Sequence, residues 1–511
     1  FPFDLTATSD DINSDGMDFV LAKMSGDGDY LWAKSISVTE TVSIFSGGLT
    51  LDDESNVYIT GTYSGTIDLD PGAGIASFAA DSMYDLYIAK YDEDGNYVWG
   101  ISPVFKDGTA MTIESDADGN IYVGGTFRST VDFDPGAGEA LRTVSGYENT
   151  YLAKYDTDGN FLWVITIECD GNPRVWPMAI DDEGSIYIHG VNRGSADFDP
   201  SGAEVIPAVD VFDYMFFAKY NSEGDLLFVK TLQGFSNLAD SYAIAVDDEH
   251  NIYLTGKYYG SIDMDPGLDE AIYTSEAALT IFLGKYNASG DYVWSHSFGD
   301  VWLNENFGKS LMIDGDELIL MGSFMDEVDF DPGVGEHVLI TTLGISEDIF
   351  VASYDLSTGN FNWAGQVRGG GGEPVCSMIR DPQGNYLLQI RADTETDFDI
   401  TSGGVLTPEL DDPFGGMYVA KYEYSSKHTD VSVTEHDAVN IFPNPVQDML
   451  FVSNANCDEM KISLLNSLGQ IIYTGKFTDH ISISFANLPQ GIYFLQMSAN
   501  EGVILKKINK I

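Results

Sequence analysis

An Asp-hydrophobic-Asp signature follows a strand-like run six times in this chain: DLDPGAG from Asp68, DFDPGAG from Asp132, DFDPSGA from Asp197, DMDPGLD from Asp263, DFDPGVG from Asp329 and DFDITSG from Asp397. A second motif keeps step with it, LAKM at 21, IAKY at 88, LAKY at 152, FAKY at 217, LGKY at 283, VASY at 351 and VAKY at 419, at successive spacings of 67, 64, 65, 66, 68 and 68 residues. A unit of that length cannot close a hydrophobic core alone, so consecutive units must stack into one large body.

Residues 243–298 show what each unit contains. AIAVD ends in the turn-rich DDEHN, NIYLTG alternates, a D-x-D-P-G segment and a variable stretch follow, IFLGKY alternates again, and an N-A-S-G-D turn leads to the Trp-bearing DYVWSHSF. Four antiparallel strands per unit in a circular array make a β-propeller blade. The third strand occurs seven times and the first and second six times, which predicts about seven blades with the first incomplete, six being the alternative. The chain opens at Phe1 inside a repeat, which leads us to expect a secretion signal and opening strands upstream.

Alternation of connections sorts the loops onto two faces. The Asp-rich hairpins DDES, DADGN, DDEGS, YDEDGN and YDTDGN share one face. The D-x-D-P-G loops share the other with long links such as ECDGNPRVWPM at 168–178 and FGDVWLNENFG at 298–308, and this second face is where a ligand is expected.

Within each D-x-D the two carboxylates share one side of an extended segment and the apolar residue takes the other. Paired oxygens of this kind suit Ca²⁺, which takes six to eight oxygen ligands. The candidate ligands are Asp68, Asp70, Asp132, Asp134, Asp197, Asp199, Asp263, Asp265, Asp329, Asp331, Asp397 and Asp399. The competing reading makes them turn caps, with Pro presetting φ and Gly accepting positive φ. The hairpins at Asp92, Asp116 and Asp156 read as ordinary turn chemistry.

Trp32, Trp99, Trp163, Trp294 and Trp363 recur on the fourth strand, with Phe228 in the remaining position, as expected of rings packed between neighbouring blades. Trp176 and Trp302 fall outside the repeat, in the irregular links of the expected ligand face, where a ring could stack on a sugar.

With 81 acidic against 24 basic residues the formal charge is −57, which repels nucleic acid and anionic lipid. Such self-repulsion is relieved by divalent cations or salt and points to an environment outside the cell. Cys169, Cys376 and Cys457 match neither a disulfide framework nor a zinc or redox pattern. No apolar run reaches the roughly 18 residues that span a bilayer. No Ser-His-Asp order, HExxH, phosphate-binding glycine loop or Cys-His pairing occurs, and no organic cofactor is indicated.

Past Tyr424 the repeat stops. The expected organisation is a propeller over 1–426, a polar linker over 427–437 and a small Ig-like β-sandwich over 438–511, the last with alternating strands and short turns. Residues 437–511 carry six acidic and five basic residues, so nearly all the negative charge belongs to the propeller. Pro443-Asn444-Pro445, Ser467-Leu468-Gly469-Gln470, Leu488-Pro489-Gln490-Gly491-Ile492-Tyr493 and Lys506-Lys507-Ile508 resemble the type A C-terminal sorting domain of the Bacteroidetes type IX secretion pathway. That resemblance implies periplasmic transit, passage across the outer membrane by the type IX machinery, and release or attachment at the cell surface. The propeller part is similar to bacterial SBBP-type repeats, which speaks to fold more than to function.

Together these features lead us to expect a secreted or cell-surface propeller without catalytic activity that binds a glycan or a protein. The alternative is a secreted polysaccharide hydrolase or lyase with carboxylates near the central channel.

Overall fold

The computed structural model describes residues 19–422 and 439–510 apart from short stretches, of which 300–305, 370–376, 401–415 and 443–448 are the longest. Every regular element described is a β-strand. The chain divides into two compact units, Phe1–Tyr422 and Glu423–Ile511.

In the first unit the strands Asp240–Val246, Ile252–Asp263, Ile272–Tyr286 and Tyr292–Phe298 pair antiparallel in sequence order, as inner, second, third and outer strands of one blade. Sheets of the same order open at Ile44, Gly108, Arg174 and Phe307, and a sixth consists of Ser377–Arg380, Tyr386–Ala392 and Gly416–Tyr422. Successive inner strands adjoin one another around the axis. The architecture is a six-bladed β-propeller.

Seven blades, the count favoured by the seven copies of the third strand, is therefore corrected to six. The opening repeat contributes the hairpin Phe19–Met24 and Tyr30–Thr39, which joins Thr66–Asp68 and Ser77–Ala79 of the following repeat in one sheet and has no inner pair among the described residues. This hairpin sits at the seam: Lys421 Nζ of the sixth blade donates to Gly26 O in its turn, and its own Lys23 Nζ donates to Glu93 O of the first full blade at 2.8 Å.

Four of the six D-x-D segments pair with the outer strand of the preceding repeat or the residue just past it, while those at Asp132 and Asp329 pair, among the described residues, only with their own return strands. Ser37 lies opposite Asp68, Glu168 opposite Asp197, Gln233 opposite Asp263, and Arg368 opposite Asp397. The residue between the two aspartates points inward, so Leu69, Phe133, Phe198, Met264 and Phe330 are fully buried. Each such side chain contributes about 1.5–3 kcal/mol by leaving water.

The two motifs meet here. The tyrosine that ends each third strand donates its hydroxyl to the carbonyl of that buried residue: Tyr91 to Leu69 at 2.8 Å, Tyr155 to Phe133 at 3.0 Å, Tyr220 to Phe198 at 3.0 Å, Tyr286 to Met264 at 2.9 Å, Tyr354 to Phe330 at 3.0 Å and Tyr422 to Phe398 at 2.8 Å. Fixed spacing between the motifs is thus a geometric requirement of one hydrogen bond per repeat.

The second unit holds two sheets, one of Val439–Phe442, Met449–Asn454 and His480–Ser484, the other of Ile471–Phe477, Met460–Asn466, Gly491–Ala499 and Gly502–Lys510. Leu450, Val452 and Ile483 of the first share one buried cluster with Ile462, Leu464 and Leu495 of the second.

Removing one hydroxyl tests the link between motifs. Tyr155→Phe leaves the buried Phe133 carbonyl without its donor and is expected to cost about 1–2 kcal/mol, read as a lower urea midpoint at unchanged slope.

Candidate functional site

The D-x-D carboxylates act first on their own loop. Asp68 Oδ1 accepts the backbone N–H of Asp70 at 3.2 Å and of Ala76 at 2.8 Å, and Asp70 Oδ1 accepts that of Gly72 at 2.7 Å. The same three bonds recur from Asp132 and Asp134, Asp197 and Asp199, Asp263 and Asp265, and Asp329 and Asp331. One oxygen of each carboxylate thus caps a turn of otherwise unpaired amides, and the second stays outside these bonds. Asp397 bridges to Arg368, with its Oδ2 3.8 Å from Arg368 Nη1, while Asp399 lies outside the described residues.

On the opposite face the inner hairpins carry a second repeated constellation, which sequence reasoning passed over as plain turns. Asp116 Oδ1 accepts from the amides of Asp118 and Asn120, and its Oδ2 from Tyr122 Oη at 3.0 Å, with Lys154 Nζ at 3.3 Å. That ammonium also stands 4.7 Å from the Tyr122 ring centroid, a cation–π contact. Asp52, Tyr58 and Lys90 repeat the set one blade earlier, and Asp181, Tyr187 and Lys219 one blade later. Burial pushes the Asp116 carboxyl upward, but Asn120, Tyr122 and Lys154 outweigh it and hold it below the usual carboxylate range. Asp52 and Asp181 are held low in the same way. The signal was present in the repeat: Asp, then Tyr six residues on, then Lys of the second motif.

Outer-strand aromatics finish the blade-to-blade contact. Trp99 Nε1 donates to Thr157 O of the next blade at 3.0 Å, and Trp163 Nε1 to Ser222 O at 3.2 Å. The indole of Trp99 lies over Gly159, whose φ of +83° and lack of room for a Cβ both require glycine. In the fourth blade His296 takes this bond, its Nε2 donating to Gly359 O at 2.8 Å, and Trp294 Nε1 finds no acceptor among the described residues.

A cavity of about 270 Å³ opens on this hairpin face, lined by Asp53, Asp116, Asp181 and Asp182 from three successive blades. It is the face opposite the one expected to hold a ligand. Asp181, Asp182 and His250 bring three potential metal-ligating atoms within 4.8 Å of one another, the one such group among the described residues.

Trp176 belongs to the inner strand Arg174–Ile180 and not to a loop; a bulge between Val175 and Met178 breaks the alternation that would have identified the strand. Trp302 lies outside the described residues, as do Pro443, Asn444, Pro445 and Gly469 of the sorting motif and Cys376 and Cys457. Gly491 opens a strand whose partner strand carries Lys506 and Lys507 opposite Leu495 and Phe494. Cys169 is a buried free thiol, pushed up to about 12 by burial and the nearby Glu148, and it donates to Glu148 O at 3.1 Å.

Glu114 differs from every aspartate above. It sits on the inner strand Gly108–Ser115, and burial raises its carboxyl to about 7 against the opposing hydrogen bond from Thr50.

Residues 440–510 match the family described as the secretion system C-terminal sorting domain. A curated relative, an uncharacterised WD repeat-containing protein of Acanthamoeba polyphaga mimivirus, is 26% identical over 218 residues, 37% of this chain, and the chain spans 16% of that relative's length. Among solved structures, the extracellular domain of a hybrid two-component system of B. thetaiotaomicron aligns over 96% of this chain and 76% of its own at 11% identity and a TM-score of 0.16. A family 32 glycoside hydrolase of Bifidobacterium adolescentis aligns over 96% and 92% at 9% identity and a TM-score of 0.25. At scores this low neither superposition bears on fold or chemistry. The sorting domain directs export through the type IX secretion machinery to the cell surface or extracellular space. Among the described residues no helix is long and apolar enough to cross a membrane.

Two outcomes follow for these acids. Asp132→Asn keeps an oxygen for the Asp134 and Ala140 amides and should leave stability within about 0.5 kcal/mol, whereas Asp132→Ala should cost about 1–2 kcal/mol and speed hydrogen exchange at both amides. Folded Glu114 keeps its proton to about pH 7, whereas an unfolded glutamate loses it near about 4.3, so its contribution to stability falls as pH rises through that window. Glu114→Gln should therefore raise the urea midpoint at about pH 8 and leave it unchanged at about pH 4.

Proposed function

We propose that the chain is an exported, non-catalytic propeller that serves as a binding and adhesion scaffold for a glycan or a protein ligand. The repeats are read as SBBP-type and the C-terminal unit as an Ig-like sandwich that delivers the propeller to the outside. The observation that carries the proposal is the state of the cavity's carboxylates. Asp116 and Asp181 are pinned by amide, phenol and ammonium donors and held ionised. A general acid needs the reverse, a carboxyl raised toward the working pH. Fixed acceptors of this kind suit hydrogen bonding to hydroxyl-rich or cationic ligands.

Calcium belongs to this proposal at the D-x-D loops. One oxygen of Asp68 and one of Asp70 cap the turn, which leaves the others to join backbone carbonyls and water around a hard cation.

The reading as a polysaccharide hydrolase or lyase is favoured by Glu114, an acid raised to about 7. Glycoside hydrolysis requires a second carboxyl within about 5–9.5 Å, and Glu114 is not among the residues lining the cavity.

The test is a panel of immobilised glycans and polysaccharides exposed to the full chain, in calcium and in EDTA. Retention on a defined sugar in calcium and its loss in EDTA is the expected result. No retention in either buffer would remove the glycan ligand, and release of reducing or unsaturated ends that Glu114→Gln abolishes would replace the scaffold with the enzyme.

A further inference from the structure

Five inner hairpins share one backbone plan, in which the fourth residue donates its amide to the carbonyl of the first: Ser55 to Asp52, Gly119 to Asp116, Gly184 to Asp181, His250 to Asp247 and Gly384 to Asp381. Ser55 and His250 stand where the other three have glycine, and of the two His250 carries a metal-ligating side chain. His250 holds the left-handed conformation, with φ of +61°, at a place where glycine serves three times. Its imidazole thereby reaches the hairpin of the preceding blade.

There its Nδ1 lies 3.2 Å from Asp181 Oδ2 and 3.9 Å from Asp182 Oδ1, and its Nε2 lies 3.7 Å from Glu183 Oε1. Nδ1 is closed off from solvent, yet the approach to Asp181 lacks hydrogen-bond geometry and the atom has no hydrogen-bond partner among the described residues. An ion-pair distance without hydrogen-bond geometry links this enclosed ring nitrogen to the two carboxylates, so a cation ligated by all three would satisfy it. A tetrahedral ion with ligand distances of about 2.1 Å places neighbouring ligand atoms about 3.4 Å apart, between the 3.2 and 3.9 Å that separate Nδ1 from Asp181 and Asp182. Lys219 Nζ also reaches Asp181 Oδ2, at 3.4 Å, and the exposed Asp182 and Glu183 outnumber that single positive charge. Asp181 and Asp182 line the acidic cavity as well, which gives an ion a route in.

We propose that His250, Asp181 and Asp182 form a binding site for a divalent transition-metal ion of the zinc class, clasping two neighbouring blades on the hairpin face. Imidazole with carboxylates selects such ions over calcium and magnesium, which prefer oxygen alone. The site is separate from the D-x-D loops and does not rest on the scaffold reading.

The experiment titrates Zn²⁺ into the full metal-stripped chain by calorimetry, with calcium in excess to fill sites built from carboxylates only, and follows thermal unfolding alongside. The parent should take up one zinc per chain saturably and melt at a higher temperature with zinc than without. His250→Gly restores the residue that three sister hairpins use, so its metal-free melting should match or exceed the parent's while saturable uptake disappears. Asp182→Asn, at a side chain 80% exposed, should fold like the parent and bind roughly tenfold more weakly. Failure of the parent to take up zinc saturably in calcium, or equal uptake by His250→Gly, would overturn the proposal.

Discussion

The ring depends on a lysine that belongs to one blade and bonds to the next. Lys90 Nζ lies 3.5 Å from Asp52 in its own inner hairpin, stands over Tyr58, and donates to Thr157 Oγ1 of the following blade at 3.0 Å. Lys154 and Lys285 reach the corresponding turn carbonyls of Ser222 and Leu356, and Lys421 reaches Gly26 across the seam. Stranding one member of a partly buried pair like this costs far more than the pair gains by forming, so the contact acts on alignment more than on net stability. Where this lysine bridges, a blade is fixed in register against its neighbour by an ammonium that reaches the next turn.

Where the lysine is missing the network rearranges. The motif reads VASY in the fifth blade, and Ser353 Oγ donates to Glu317 at 2.6 Å in place of the ammonium. The hairpin carboxylate of that blade, Asp314, takes its counter-charge from Arg380 at 2.6 Å and a phenol from Tyr386 at 2.8 Å, both on the sixth blade. In a molecule of net charge −57, each buried carboxylate needs a donor set, which Asp116 draws from its own blade and Asp314 from the next. Charge and blade alignment are thereby coupled wherever a donor spans two blades.

Much of this was legible because alternation and fixed spacing are local. The apolar residue of each D-x-D was expected inside, and Phe133 and Phe330 are fully buried; Trp99 and Trp163 were expected at blade interfaces and bond across them. What escaped was long-range. A lysine on an alternating strand reads as solvent-facing until its Asp and Tyr, on a hairpin far back in the sequence, are placed beneath it. The pairing of Asp68 with Ser37 of the preceding repeat escaped for the same reason, since a period shows what recurs and not what it touches. Trp176 was misplaced because the bulge before Met178 erased the alternation that marks a strand.

Repetition also indicates where to look for function. A contact present in every blade closes the ring; a residue that breaks the pattern at one blade is not explained by closing it. Thr50, Glu114, Ala179 and Ala245 occupy one register position, opposite Tyr58, Tyr122, Tyr187 and Tyr253, and Glu114 alone among them brings a titratable group there. His250 breaks the pattern among the hairpins in the same way, accepting a left-handed backbone to place an imidazole against Asp181 and Asp182. Both residues lie on strands or turns whose geometry the neighbouring blades fix, so neither side chain owes its position to a flexible loop. A repeat scaffold can hold such exceptions because the remaining blades carry the closure, and the hairpin face, where the acidic cavity lies, is where this chain places one of them.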